Sequence, residues 1–123
     1  MCTAQAPASA GEVGAQWEVS GDSTTFCSSA WGDYSYSRVP GTTDRYSAGW
    51  DLFVTAQGHC GMNASLRIKY SEWSNGYWWP RGWTTIATAH GNPISTDYMT
   101  NVKDIRFAVC DYNGGHYACG TVS

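Results

Sequence analysis

The sequence predicts an all-β domain, a small disulfide-stapled antiparallel sandwich or partly open barrel. Three observations carry this. Apolar residues alternate with a period of two in several separate stretches. Turn-forming Gly, Asn and Pro clusters recur between those stretches, and no segment keeps helical spacing over the length a stable helix needs. Four of the five cysteines lie beyond the first 26 residues of a 123-residue chain, which is long enough for one domain with a modest core.

The elements follow from the alternation. Trp50, Leu52, Val54 and Ala56 alternate with Asp51, Phe53, Thr55 and Gln57. Leu66, Ile68 and Tyr70 alternate with Arg67, Lys69 and Ser71. Ile105, Phe107 and Val109 alternate with Asp104, Arg106 and Ala108. Each stretch reads as a strand with one face toward a core. Turns fall at residues 58–61, 75–76, 91–93 and 113–115. The expected organisation is residues 1–15 as a flexible tail or signal-peptide remnant, and 16–123 as a single β domain.

Two hairpins can be placed residue by residue. A two-residue turn at Gly114-Gly115 sets Asn113 opposite His116, Tyr112 opposite Tyr117, Asp111 opposite Ala118 and Cys110 opposite Cys119. Counting outward from the turn, the two cysteines fall at a non-hydrogen-bonded pair, where side chains approach most closely. That suits a disulfide. Cys27 with Cys60 follows by elimination, leaving Cys2 outside. The second hairpin turns at Asn75-Gly76, facing Ser74 with Tyr77 and Trp73 with Trp78. Pro80 follows soon after and cannot donate to a ladder, so this hairpin belongs at a sheet edge or projects from it.

Composition narrows the function. The aromatic content of 15% argues against disorder. A net charge of −3 offers no basic surplus for a phosphate backbone, so nucleic acid is not expected as a partner. No apolar run is long enough to span a membrane. Five cysteines in a chain this short point to an oxidising compartment and a secreted, extracellular protein. Ala8-Ser9-Ala10 has the small-x-small form cut by signal peptidase, so residues 1–10 read as what remains of a removed leader, with Met1 a supplied start. A lipidated Cys2 is the alternative.

No catalytic grouping, cofactor site or metal site is expected. His59, His90 and His116 sit in no metal-binding helical pattern, and no Cys-x-x-Cys is present. There is no Gly-x-Ser-x-Gly elbow for a serine nucleophile. The carboxylates are scattered, mostly at solvent-facing strand or turn positions, and a domain this small rarely encloses a sugar cleft. Asp111-x-Asn113-Gly114 has the opening of a calcium loop without its remaining ligands, and reads as turn stabilisation. Asn63-Ala64-Ser65 is a glycosylation sequon that matters only in a eukaryotic source.

The informative segment is residues 73–83. Trp73, Tyr77, Trp78, Trp79, Arg81 and Trp83 crowd it, interrupted by turn formers. Neighbours in a strand face opposite ways, so Trp78 and Trp79 cannot both point into a core. Trp, Tyr and Arg are enriched in interface hot spots, and these six residues are the expected partner-binding set. A protein partner fits the low charge and the edge position best. A glycan stacked on Trp79 and a serine-protease inhibitor presenting Arg81 are the alternatives. In the bland reading Trp73 and Trp83 are core, and the rest is hairpin packing.

Val102-Lys103-Asp104-Ile105-Arg106-Phe107-Ala108-Val109-Cys110-Asp111, followed by Cys119-Gly120, resembles the C-terminal part of small exported actinobacterial β-rich proteins. Among these it is similar to the small bridging subunit of Streptomyces umbrella toxin particles. The resemblance covers about the last fifth of the chain and the cysteine layout. It implies a non-enzymatic adaptor that joins other proteins in an extracellular toxin-like complex. It also implies that the N-terminal segment from Gly11 to Trp17 would insert into a partner's cleft.

Overall fold

The computed structural model of the protein describes residues 15–61, 63–113 and 116–123. Residues 1–14 of the expected tail and the Gly114-Gly115 turn lie outside them, while Ala15 already belongs to the first strand. Seven strands appear in order: β1 (Ala15–Asp22), β2 (Ser28–Arg38), β3 (Tyr46–Ala56), β4 (Asn63–Ser74), β5 (Tyr77–Thr88), β6 (Ile94–Asn113) and β7 (His116–Val122). A 3-10 turn, Gly58–Cys60, lies between β3 and β4. No helix among the described residues is long and apolar enough to cross a membrane. The strands form one antiparallel sheet in the order β1-β2-β3-β6-β4-β5, with β7 also on β6. The sheet is not closed.

The three alternating stretches become β3, β4 and the second half of β6, with the expected faces inward. Trp50, Leu52 and Val54 from β3, Leu66 and Ile68 from β4, and Phe107 and Val109 from β6 are all buried in one core. Val19 of β1, Ala30 of β2, Ala87 of β5 and Val122 of β7 complete it. The Trp50 indole N–H donates to Ser95 Oγ at 3.0 Å, which satisfies the one polar atom that this large side chain takes inside.

Strand β6 differs from the short strands that the sequence suggests, running for 20 residues. Its first part pairs with β3, from Phe53↔Ile94 to Tyr46↔Val102. Its second part pairs with β4, from Glu72↔Val102 to Asn63↔Tyr112, and with β7 from Phe107↔Val122 to Asn113↔His116. Register breaks occur where β6 passes Asn101 and Asp104, which take left-handed φ of 59° and 55°. Asn and Asp are the non-glycine residues that tolerate this region, and bulges of this kind bend a strand. One strand thereby serves both halves of the sheet, which fold over a common core.

Both hairpin registers are as read from the sequence. Cys110 pairs with Cys119 and Trp73 with Trp78. The Cys110–Cys119 bridge has a Cα–Cα distance of 4.1 Å, the close approach of a non-hydrogen-bonded pair. The second bridge is Cys27–Cys60, which ties the start of β2 to the 3-10 turn. Two disulfides are compatible with an extracellular protein. The free ends of β1 and β7 also meet. Ser20 and Ser123 exchange backbone hydrogen bonds at 3.3 and 3.1 Å. A Cβ on Gly21 would strike the Thr121 carbonyl and one on Gly120 the Asp22 carbonyl, so only glycine allows this approach.

Candidate partner-binding surface

Among the described strands β5 pairs only with β4, which places it at an edge of the sheet. The turn into it has Asn75 at φ 53° and Gly76 at φ 82°, the positive pair that a tight hairpin requires. The pleat then sorts the aromatic segment onto two faces. On one face Trp73 and Trp78 meet edge-to-face with centroids 5.3 Å apart. The Arg45 guanidinium lies over the Trp73 ring at 5.3 Å, and the Lys103 ammonium over the Trp78 ring at 4.3 Å. These two indoles are half-buried and already engaged by the chain's own cations.

The other face carries the pairs Ser74/Tyr77, Glu72/Trp79 and Tyr70/Arg81. Tyr77 is 68% exposed and Trp79 48%. The Trp79 Nε1–H donates to the Ser74 carbonyl at 3.0 Å, so the indole is held in place although exposed. Arg81 sends Nε and an Nη to one oxygen of Glu72, at 3.0 and 2.6 Å. A register break then shifts Trp83 to the face of Trp73 and Trp78, and it is 41% exposed rather than core. The six sequence-predicted residues are therefore neighbours in the chain but not one patch. Tyr77 and Trp79 present one surface with Arg81 fixed beside them, Trp83 presents another, and Trp73 and Trp78 serve the hairpin.

The expected partner-binding set leaves out other exposed aromatics, among them Trp31 and Phe26. Trp31 (45% exposed) stacks on Phe53 across β2 and β3, with centroids 5.8 Å apart and planes at 20°. Ile94, opposite Phe53, extends the row onto β6. Beside Trp31 and Phe53, together with Glu18 and Asp33, the surface dips into a hollow of about 400 Å³. Phe26 is 71% exposed and takes φ of 62°, a rare conformation for a bulky residue. The only signal in the sequence was Phe53's outward phase in the β3 alternation.

Asp111 is a correction. It is not a turn residue but a β6 side chain only 2% exposed. Its carboxylate accepts from Thr25 Oγ1 at 2.9 Å and Ser28 Oγ at 3.1 Å. Ser23 Oγ, buried as well, contacts Thr25 Oγ1 at 3.1 Å and accepts the Ser28 N–H at 3.1 Å. A hydroxyl–carboxylate network thus fastens the turn that carries Phe26 and Cys27 to the strand that carries Cys110. His59 and His90 are exposed and have no place in it, and the His116 side chain lies outside the described residues. Among the described residues no group of three His, Cys, Asp or Glu side chains is placed to hold a metal ion.

Comparison with protein-family models, with curated proteins and with solved structures finds no match.

Proposed function

We propose that the protein is an exported, non-enzymatic binding domain that docks another protein along the β5 edge. The supporting observation is that Tyr77 and Trp79 lie exposed, side by side, on a strand whose outer backbone edge has no neighbour among the described strands. Rigid aromatics at a strand edge combine two recognition modes, ladder extension and side-chain anchoring. The resemblance of residues 102–111 and 119–120 to the bridging subunit of umbrella toxin particles agrees with an adaptor role, in which this domain joins two larger proteins outside the cell. The two disulfides agree with export.

The test is affinity capture from the culture medium of the source organism, with the disulfides intact. The wild-type chain should retain a stoichiometric protein, and Trp79→Ala should weaken that binding by roughly 2 kcal/mol, about thirtyfold. Equal retention by Trp79→Ala and Tyr77→Ala would remove the β5 edge from the interface. A glycan ligand is the second reading, because the pinned, half-exposed Trp79 indole is the kind of platform on which a sugar ring stacks. Glycan-array binding that disappears in Trp79→Ala would favour it. Arg81, engaged with Glu72 inside the ladder, gives the protease-inhibitor reading no free bait residue.

A further inference from the structure

The outer faces of the two half-sheets carry opposite charge, each in an arrangement unfavourable to the folded monomer. On the first, Glu18 pairs across to Asp33 and Asp33 to Asp51, so three carboxylates stand in one cross-strand row. All three residues are exposed. The row directly beside it is Trp31, Phe53 and Ile94. On the second, Lys69 stands opposite Arg106, both exposed, with Arg67 two residues along β4. The Arg67 guanidinium lies over the half-exposed Tyr117 ring at 4.5 Å and donates to the Trp83 carbonyl at 3.4 Å.

Like charges directly opposite in a ladder are destabilising. Among the described residues the sole ion pair is Arg81–Glu72, so none of them neutralises either group. Asp51 accepts a hydrogen bond from Thr96 at 2.7 Å, which carries no charge. The two faces also match in form. With strands about 4.8 Å apart, the acidic row spans about 10 Å, similar to the spread of Arg67, Lys69 and Arg106. Each charged group borders aromatics that reach the surface, the exposed Trp31 and the half-buried Phe53 on one side, the exposed Trp83 and Tyr117 on the other.

We infer that the occupant of each face is a second copy of this chain, the Glu18–Asp33–Asp51 row of one molecule docking on the Arg67–Lys69–Arg106 group of the next. The inner sides of both half-sheets share one core, so the two faces look away from each other. The contact is therefore head-to-tail, and it builds strings rather than a closed two-fold dimer. Four strands present a patch about 15–20 Å wide, which places the contact among weak, reversible ones. This self-docking is independent of the β5 edge.

Sedimentation velocity over rising concentration tests it. In about 10 mM salt, with a screening length near 30 Å, the weight-average sedimentation coefficient should climb with concentration. In about 1 M salt, where that length is about 3 Å, it should stay at the monomer value. Asp33→Lys with Asp51→Lys should be monomeric, and so should Lys69→Glu with Arg106→Glu. An equal mixture of the two should associate again, because each reversed face then meets its complement. A wild-type chain that stays monomeric at low salt overturns the inference. So does a mixture that stays monomeric, or association that persists in both variants, which would place the contact elsewhere, such as the β5 edge. Should a reversal fail to fold, the near-isosteric Asp33→Asn with Asp51→Asn must loosen the association of the folded chain.

Discussion

Removing the two disulfides one at a time should separate their contributions by loop length. Cys27–Cys60 spans a sequence separation of 33 and Cys110–Cys119 one of 9. In the chain-entropy account, closing such loops in the unfolded state stabilises by about 3.7 and about 2.6 kcal/mol at 25 °C, a difference of about 1.1 kcal/mol. Packing does not blur the comparison much. Each bridge has one buried sulfur partner, Cys27 at 9% exposure and Cys110 at 0%, and one more exposed one. The variants are Cys27→Ala with Cys60→Ala and Cys110→Ala with Cys119→Ala, each in a Cys2→Ser background so that no spare thiol exchanges. Urea unfolding followed by tryptophan fluorescence gives both free energies by linear extrapolation. The 27–60 variant should be the less stable. If losing the 110–119 bridge costs as much or more, the loop argument fails, and packing around Cys110 governs instead.

Two further outcomes can be checked with the same equipment. Asp111→Ala should cost about 2–4 kcal/mol in urea unfolding, because it strands the buried Ser28 hydroxyl and opens a cavity, whereas Asp111→Asn, which keeps the shape and can exchange hydrogen bonds with rotatable hydroxyls, should cost about 1 kcal/mol. Burial, then the neighbouring Tyr46 and Asp104, pushes the Tyr36 hydroxyl up to about 12, and burial with Tyr36 alongside raises Tyr34 further. Both groups are neutral when protonated, and the folded state holds their protons more tightly than the unfolded state does. Their contribution is thus whole below pH 10 and drains away as the pH rises from 10 through 12 and beyond. Thermal melts across that range should show the decline, and Tyr34→Phe with Tyr36→Phe should flatten it.

What the sequence made legible was wherever local chemistry fixes geometry. Asn75-Gly76 demands a two-residue turn, and from that turn the Trp73–Trp78 pairing follows by counting. The same count from Gly114-Gly115 reaches Cys110 and Cys119. The inward faces of β3 and β4 were readable because Trp50 to Val54 and Leu66 to Ile68 keep strict alternation. The first half of β6 was not, because the bulges at Asn101 and Asp104 each shift the phase and break one 20-residue strand into pieces that look unrelated. The fate of Trp83 turned on a similar register break. Charge and aromatic rows across strands, such as Glu18–Asp33–Asp51 and Trp31–Phe53–Ile94, exist only once the register of four strands is known. Asp111 resembled a turn residue because its partners, Thr25 and Ser28, lie over 80 positions away.

The bent β6 strand has a consequence for how the chain assembles. The β4–β5 hairpin is local and can zip from its own turn, as can β1–β2. The pairing of β3 with β6, such as Trp50 with Asp97, must instead close a loop that contains that hairpin, and its entropic cost falls before any contact rewards it. Since β6 then supplies the ladder for β3, β4 and β7 alike, its arrival completes both halves of the sheet together. Neither half can form its share of the core first and wait for the other. The molecule should therefore cross one slow, all-or-none barrier, set by when a single strand finds three neighbours.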